Sequence, residues 1–446
     1  MNQSFSFTLL LALSLLLASC KHEQNLVTPD KPEIPAEKPQ SRPGKVHPIG
    51  SPLGTATTQT IGPAGGQLSS ADNRLTITVP AGAVETAQSF SIQPISSTGP
   101  QSLGNGFRLA PHGTSFKKPV TIRVQYDPAT LSGTVAEALA LAYQNDKGIW
   151  MLAANGKVDT VAHTVSVETT HFSDWAVLER AKLYPEVGFV KPGGDLTLTV
   201  QVLDDYALVP LTSETEVSEP YDSPTALIDT DTWKLAGSGK LVPLIWKAQY
   251  LAPNTIPARN PVAVSIKLKA PTSIDGKPFR ELWLVSNIYI GDEGISFRIN
   301  GGKWIHTLAS ARLLSNQGLG MVTITGGVTA DGNNWGINFL TLPPMQETEE
   351  TSPVTLINMT MPWTVSESGP HLHLTDQQGN VYYKQFYPVP PVFYPSPGAL
   401  TYYHFGKVGD YLIGKFELEK AGRYNDTQGY LGTSRIEGFF RVKRLN

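Results

Sequence analysis

Apolar and polar side chains alternate with a period of two in short runs along most of the chain. Leu75-Thr76-Ile77-Thr78-Val79, Val120-Thr121-Ile122-Arg123-Val124-Gln125-Tyr126, Leu196-Thr197-Leu198-Thr199-Val200-Gln201-Val202 and Val262-Ala263-Val264-Ser265-Ile266-Lys267-Leu268 each put their apolar side chains on one side. Successive strand residues point to opposite faces, so the pattern predicts half-buried strands. Further strands are expected at 321–325, 335–342, 381–387, 411–418 and 436–445. Gly and Pro clusters separate the runs, which is the pattern of antiparallel sandwiches. Residues 134–141 offer one helical candidate, although a short Ala/Leu run reads equally well as a buried strand. No short fixed repeat is present.

Composition narrows the class. Forty glycines and 35 prolines in 446 residues make the chain rich in turns, and a 40% apolar share is enough for real cores, which argues against wholesale disorder. A net charge of −3 without a dominant basic block argues against a nucleic-acid partner, which calls for a cationic stripe. Without dense heptads or a 20-residue apolar span, coiled coils and multispan membrane proteins drop out. The expected fold class is all-β, with tandem antiparallel β-sandwich domains.

Residues 7–17 are apolar, too short to span a bilayer, and run into Leu17-Ala18-Ser19-Cys20. This resembles the lipobox of bacterial lipoproteins, where cleavage precedes a cysteine that carries diacylglycerol. The resemblance implies a signal peptide over 1–19 and a lipid anchor on Cys20, although Met1 to Ser19 contain neither Lys nor Arg. Cys20 is the only cysteine, so lipidation leaves no thiol for disulfides, metal thiolates or cysteine catalysis. Lys21 after the cysteine points, by the same resemblance, to the outer membrane or cell surface. Pro29, Pro32, Pro35, Pro39, Pro43, Pro48 and Pro52 then mark 20–55 as a disordered, semi-extended Pro-rich linker.

Three β domains are expected after it, over 56–180, 181–290 and 291–446. In the first, Gly65-Gly66, the Leu75 to Val79 run, Pro80-Ala81-Gly82-Ala83-Val84 and Phe116-Lys117-Lys118-Pro119-Val120 resemble the ZU-five domain of ankyrins and netrin receptors, over about 120 residues. Pro80 ends a strand because it cannot donate to the ladder, and Gly82 permits the turn. That resemblance implies a β-sandwich used for protein binding and scaffolding. The second domain, with Trp246, Tyr250-Leu251-Ala252-Pro253 and Asn260-Pro261-Val262-Ala263-Val264, resembles bacterial immunoglobulin-like modules. The third, with Gly409-Asp410-Tyr411 and Gly438-Phe439-Phe440-Arg441-Val442, is similar to C-terminal β domains of Bacteroidetes lipoproteins.

Four constellations could carry chemistry. His171-Phe172-Ser173 matches the self-cleavage tripeptide of ZU-five-containing death-domain proteins. That resemblance would make Ser173 the nucleophile, His171 its base or proton donor and the Phe172 carbonyl the reacting centre. The other reading is a domain-closing strand in which Phe172 and Trp175 are packing residues. His371 and His373 share one strand face and, with His404, could form a metal site, against a simpler reading as exposed side chains. The stretch from Pro192 to Trp233 has no Lys or Arg but carries Asp204, Asp205, Asp229 and Asp231 among its acids, either a calcium site or a solvated loop. Tyr382, Tyr383, Tyr387, Tyr394, Tyr402 and Tyr403 crowd a Pro-rich stretch and could form a platform for a glycan or partner protein, or be core.

No His-Glu-x-x-His, Gly-x-Ser-x-Gly or phosphate-binding glycine loop is present, which lowers the case for hydrolases and nucleotide enzymes. The sequence thus leads to the expectation of a lipid-anchored, non-catalytic binding, adhesion or scaffolding module. It needs no cofactor and has two kinds of partner: the membrane, and an unknown protein or glycan. Self-cleavage between Phe172 and Ser173 and a glycan- or metal-binding accessory role are the alternatives.

Overall fold

The computed structural model describes residues 42–446 apart from 206, 209–210, 224–226, 270–272, 275–276, 279–280, 317–318, 330–333, 342–355, 367–368 and 390–391. Residues 1–41, on which the expected signal peptide, Cys20 and most of the expected linker fall, lie outside the described residues. The fold is all-β, and among the described residues the helical turns are the short 3-10 segments Pro128–Thr130 and Ala136–Ala138.

Two sandwiches come first. One is a seven-stranded sheet, in spatial order Thr57–Ile61, Gln88–Ile95, Gly106–Ala110, Asp174–Glu179, Leu139–Gln144, Trp150–Leu152 and Thr215–Glu216. It faces a five-stranded sheet of Gly66–Ser69, Leu75–Val79, Ser115–Gln125, Thr164–His171 and Lys157–Asp159, and Phe90, Phe107, Ile122, Val165 and Trp175 lie in the core between them. The helical candidate at 134–141 becomes the 3-10 turn followed by the strand Leu139–Gln144. That strand is almost wholly buried, so it lacks the alternation by which half-buried strands are recognised. Strand Leu75–Val79 stops before Pro80, and Gly82 adopts φ +77°, a region that disfavours a Cβ. Residues 42–55, counted with the linker on composition, run along this sandwich. Val46 bridges to Ile149 and Pro52 to Ile95, and the Gln144 amide donates to the His47 carbonyl at 2.9 Å.

The second sandwich sets Ala181–Tyr184, Asp195–Val202, Lys247–Leu251 and Lys240–Leu244, with Tyr221–Asp222 paired to the second of these, against Val187–Val190, Leu282–Ile290, Val262–Leu268 and Ile228–Ala236. Most of its strands are antiparallel. Val187–Val190 is the exception, since it pairs parallel with Leu282–Ile290.

The third domain is one ten-stranded sheet that closes on itself. Gly294–Ile299, Ile305–Asn316, Leu319–Thr329, Asn334–Thr341, His371–Thr375, Asn380–Tyr383, Tyr411–Asn425 and Gly429–Arg444 pair antiparallel in sequence order. Gly429–Arg444 then returns to pair with Gly294–Ile299, completing an eight-stranded barrel. Leu356–Pro362 pairs with Ala399–Phe405, which pairs onto the first half of Tyr411–Asn425, where Leu400 and Tyr402 join the barrel core. Closure removes the free edges of the eight ring strands and leaves Leu356–Pro362 paired on one side, and an eight-stranded barrel is just wide enough to be filled by side chains. Phe297, Ile324, Phe339, Phe416 and Phe440 fill this one, with Phe339 and Phe416 rings 4.6 Å apart. In the register of the last two strands Gly414 faces Phe440 and Gly438 faces Phe416. A Cβ on either glycine would collide with the opposite ring, so each phenylalanine covers the glycine across from it.

Both junctions between domains are packed. Ala142, Trp150, Leu152, Ala176 and Leu178 on the outer face of the first sandwich pack with Leu203 and Val217 from the second domain's sequence, and Thr215–Glu216 extends the first sandwich's sheet. Arg180 grips Asp204 through two hydrogen bonds of 2.8 Å, both side chains buried. Beside them Lys182 reaches Glu179 and Glu186, each at 2.5 Å. At the second junction Phe189 stacks on Tyr289 at 5.2 Å, while Phe439 lies 4.9 Å from Tyr289 and 5.4 Å from Trp304.

The Glu179–Lys182–Glu186 group has one ammonium for two buried carboxylates. Burial pushes the Glu179 carboxyl up to about 7, with Lys182 opposing the shift. Folded protein therefore holds a proton on Glu179 where unfolded protein has lost it, so this group's contribution to stability falls as pH rises from about 4.5 toward 7. Denaturant titrations of the parent and Glu179→Gln across that interval should show the variant gaining on the parent as pH rises. A constant difference would contradict the assignment.

Candidate functional site

His171 ends strand Thr164–His171 at a register shift that follows Thr169. The irregularity lets Phe172 turn inward, where it packs edge-on against Phe116 at 4.8 Å and Phe90 at 5.9 Å. Ser173 is buried, and its hydroxyl donates to the Gln144 carbonyl while its own carbonyl accepts from Leu109 N–H at 3.0 Å. The His171 ring lies edge-on to Tyr143 at 4.6 Å, with Nδ1 3.2 Å from the Thr169 hydroxyl. Burial lowers the pKa of His171. A carbonyl acceptor orients the Ser173 hydroxyl but cannot take its proton, and in this geometry the contact joins two strands.

The three candidate metal ligands sit in different surroundings. His371 Nε2 is 3.3 Å from the Lys384 ammonium, His373 lies over Tyr383 with rings 5.6 Å apart, and His404 Nε2 is 3.4 Å from Asp410. An ammonium beside His371 opposes a bound cation. Among the described residues no three His, Cys, Asp or Glu side chains converge as a metal site. The acids proposed for calcium have other partners: Asp204 holds Arg180, Asp205 accepts from Tyr221 at 2.6 Å, and Asp229 pairs with Lys267 at 3.4 Å, while Asp231 is exposed.

The tyrosine candidates divide. Tyr382 and Tyr402 belong to the barrel core, the first donating to Asp376 at 2.9 Å and the second sharing a 3.2 Å hydrogen bond with Thr341. Tyr403 is buried at the second junction. These three are corrected from platform to packing residues: strand alternation sends Tyr382 and Tyr402 into the barrel, and Tyr403, on the opposite face, is covered by Tyr289 and Phe439. Tyr383, Tyr387 and Tyr394 remain on the barrel's outside. There Tyr387 stacks on Tyr430 at 4.3 Å and 27°, and Tyr424 lies within 5.6 Å of Tyr387, 5.2 Å of Tyr430 and 5.4 Å of Tyr383. Phe393, exposed on the neighbouring hairpin of Gln385–Val389 and Val392–Pro395, packs edge-on to Tyr387 at 5.3 Å. Tyr394 on the same hairpin is exposed, with its ring 6.2 Å from Phe386.

Tyr424 and Tyr430 escaped the sequence reading because they lie on the last two strands, away from the Pro-rich stretch. Their cross-strand pairing is what joins them to the cluster. The Tyr424 hydroxyl is buried and has no hydrogen-bond partner, and burial raises its pKa. An unpartnered hydroxyl inside a half-exposed set of rings is an unmet demand for a polar group. Compared with models of known protein families and with curated proteins, the chain matches none.

The packing reading of His171-Phe172-Ser173 gives unequal costs. Phe172→Ala should lose about 3–5 kcal/mol of stability and Ser173→Ala about 1 kcal/mol in denaturant unfolding. The parent should run as one chain under denaturing conditions, whereas two fragments meeting at Phe172-Ser173 would assign the motif to self-cleavage.

Proposed function

We propose that this protein is a lipid-anchored envelope protein of non-catalytic character that binds glycans through the aromatic surface of its third domain. The observation that carries the reading is the cluster of Tyr383, Tyr387, Tyr424 and Tyr430 with Phe393 beside it. A pyranose ring presents an apolar C–H face that fits an aromatic face. Exposed aromatic area of this kind is unusual on a surface with no partner. The resemblance of Leu17-Ala18-Ser19-Cys20 to a lipobox and of the first domain to the ZU-five scaffold supports a tethered role, with the two sandwiches as the stalk.

A glycan array probed with the full chain should return a family of saccharides. Tyr387→Ala should weaken the strongest of them by about fivefold, as expected when an aromatic contact worth about 1 kcal/mol is lost, in a chain that remains folded. An empty array, or affinity that Tyr387→Ala leaves untouched, would remove the glycan reading. Capture of a protein by the same surface would replace it.

A further inference from the structure

The second sandwich ends one edge in a hairpin, Lys240–Leu244 and Lys247–Leu251, whose tip exposes consecutive large apolar side chains. Leu244 is 53% exposed, Ile245 60% and Trp246 39%, with exposed Pro243 before them. The sheet does not need them: Ala248 and Tyr250 of the same hairpin supply its buried contacts. From Thr232 to Ile274 the sequence has no acid, while Lys234, Lys240, Lys247, Arg259, Lys267 and Lys269 occur in it. The nearby carboxylates are engaged: Asp222 pairs with Lys247 at 3.0 Å, Glu219 with Lys45 at 3.0 Å, and Glu216 accepts from Gly44 N–H at 2.9 Å. The tip is therefore apolar, capped by a tryptophan and free of uncompensated negative charge.

Its position says what would cover it. The guanidinium of Arg42, the first described residue, lies 3.8 Å from the ring centre of Tyr221. Tyr221 is followed by Asp222, which holds Lys247, the residue after Trp246. Arg42 thus lies at the end of the sandwich that carries the tip, and residues 21–41 precede it in sequence. At about 3 Å per residue that stretch reaches at most about 60 Å, so an anchor on Cys20 would hold this end within that distance of the bilayer.

We propose that Leu244, Ile245 and Trp246 insert into the interfacial layer of a lipid bilayer and hold the second domain against the membrane. Tryptophan favours the headgroup level, where its ring is buried and its N–H stays wet, and leucine and isoleucine reach into the acyl boundary. Lys247 and Lys240 on the two legs keep their ammonium groups on the aqueous side. The contact is weak by itself, and a tether makes it effective by raising the local concentration of tip at the surface. The occupant is argued in part from the lipid-anchor reading, whereas the apolar tip stands without it.

Cys20 is the only cysteine, so the full chain carrying Cys20→Ser and Ile245→Cys takes one environment-sensitive dye at the tip and has no attached lipid. A second chain with Cys20→Ser and Val161→Cys places the dye on a 90% exposed residue of the first sandwich. On adding phosphatidylcholine vesicles, the tip dye should shift to the blue and brighten by about threefold or more, as a probe moving from water into the interface does. Nitroxide-labelled lipid should quench it, and the dye at 161 should not respond. Leu244→Ser with Trp246→Ser should abolish the response at 245. No response at 245 up to millimolar lipid, or equal responses at both positions, would overturn the proposal. So would a concentration-dependent shift at 245 without vesicles, which would assign the tip to a second copy of the chain. Absence of lipid on Cys20, read from the mass of membrane-purified protein, would sink the anchor reading alone.

Discussion

A strand that is apolar on both faces must be covered twice, and the arrangement of the first two domains follows from that requirement. Asp174–Glu179 is buried at every position and Leu139–Gln144 at all but one. The first sandwich's own core covers one face, through Leu139, Leu141, Tyr143, Trp175 and Val177. The other face carries Ala142, Ala176 and Leu178, and Leu203 and Val217 complete it. At roughly 25 cal/mol per Å² of apolar surface, leaving that face to water would be costly for a sheet of this size. The second domain is therefore a structural part of the first. The buried Arg180–Asp204 pair and the Lys182 bridge fix how the two meet, since a charged group at a buried junction is tolerated only with its partner in place.

The sequence was most legible where strands are half-buried. Leu75–Val79 and Val262–Leu268 alternate cleanly, and each is a strand with its apolar side chains inward. It was least legible where burial is two-sided, as at Leu139–Gln144, and where pairing is non-local. Barrel closure by Gly429–Arg444 on Gly294–Ile299 joins segments some 140 residues apart, and no local pattern encodes it. The reciprocal placement of Gly414 against Phe440 and Gly438 against Phe416 could be seen only once the register was known.

The same limits apply to the candidate sites. Residue type pointed to tyrosines, but the face each one occupies depends on strand phase, so Tyr382 and Tyr402 went to the core while Tyr383 and Tyr387 stayed outside. Tyr424 and Tyr430 entered through pairing across a hairpin distant from the Pro-rich stretch. For His171-Phe172-Ser173 the tripeptide alone carried two meanings. The position of Phe172 between Phe90 and Phe116 and the Ser173 hydroxyl bond to Gln144 favour packing. In each case a motif specified chemistry only after its neighbours across the sheet were in place.

Two-sided burial makes cooperativity the quantity that tests the account most directly. Scanning calorimetry of the unlipidated full chain should show the first two domains unfolding in a single transition, whose calorimetric enthalpy exceeds that of either sandwich alone, because neither keeps its outer face covered when the other opens. A substitution that empties the junction, such as Leu203→Ala, should lower the midpoint of that whole transition. Two resolved transitions for these domains, with Leu203→Ala shifting only one of them, would contradict it.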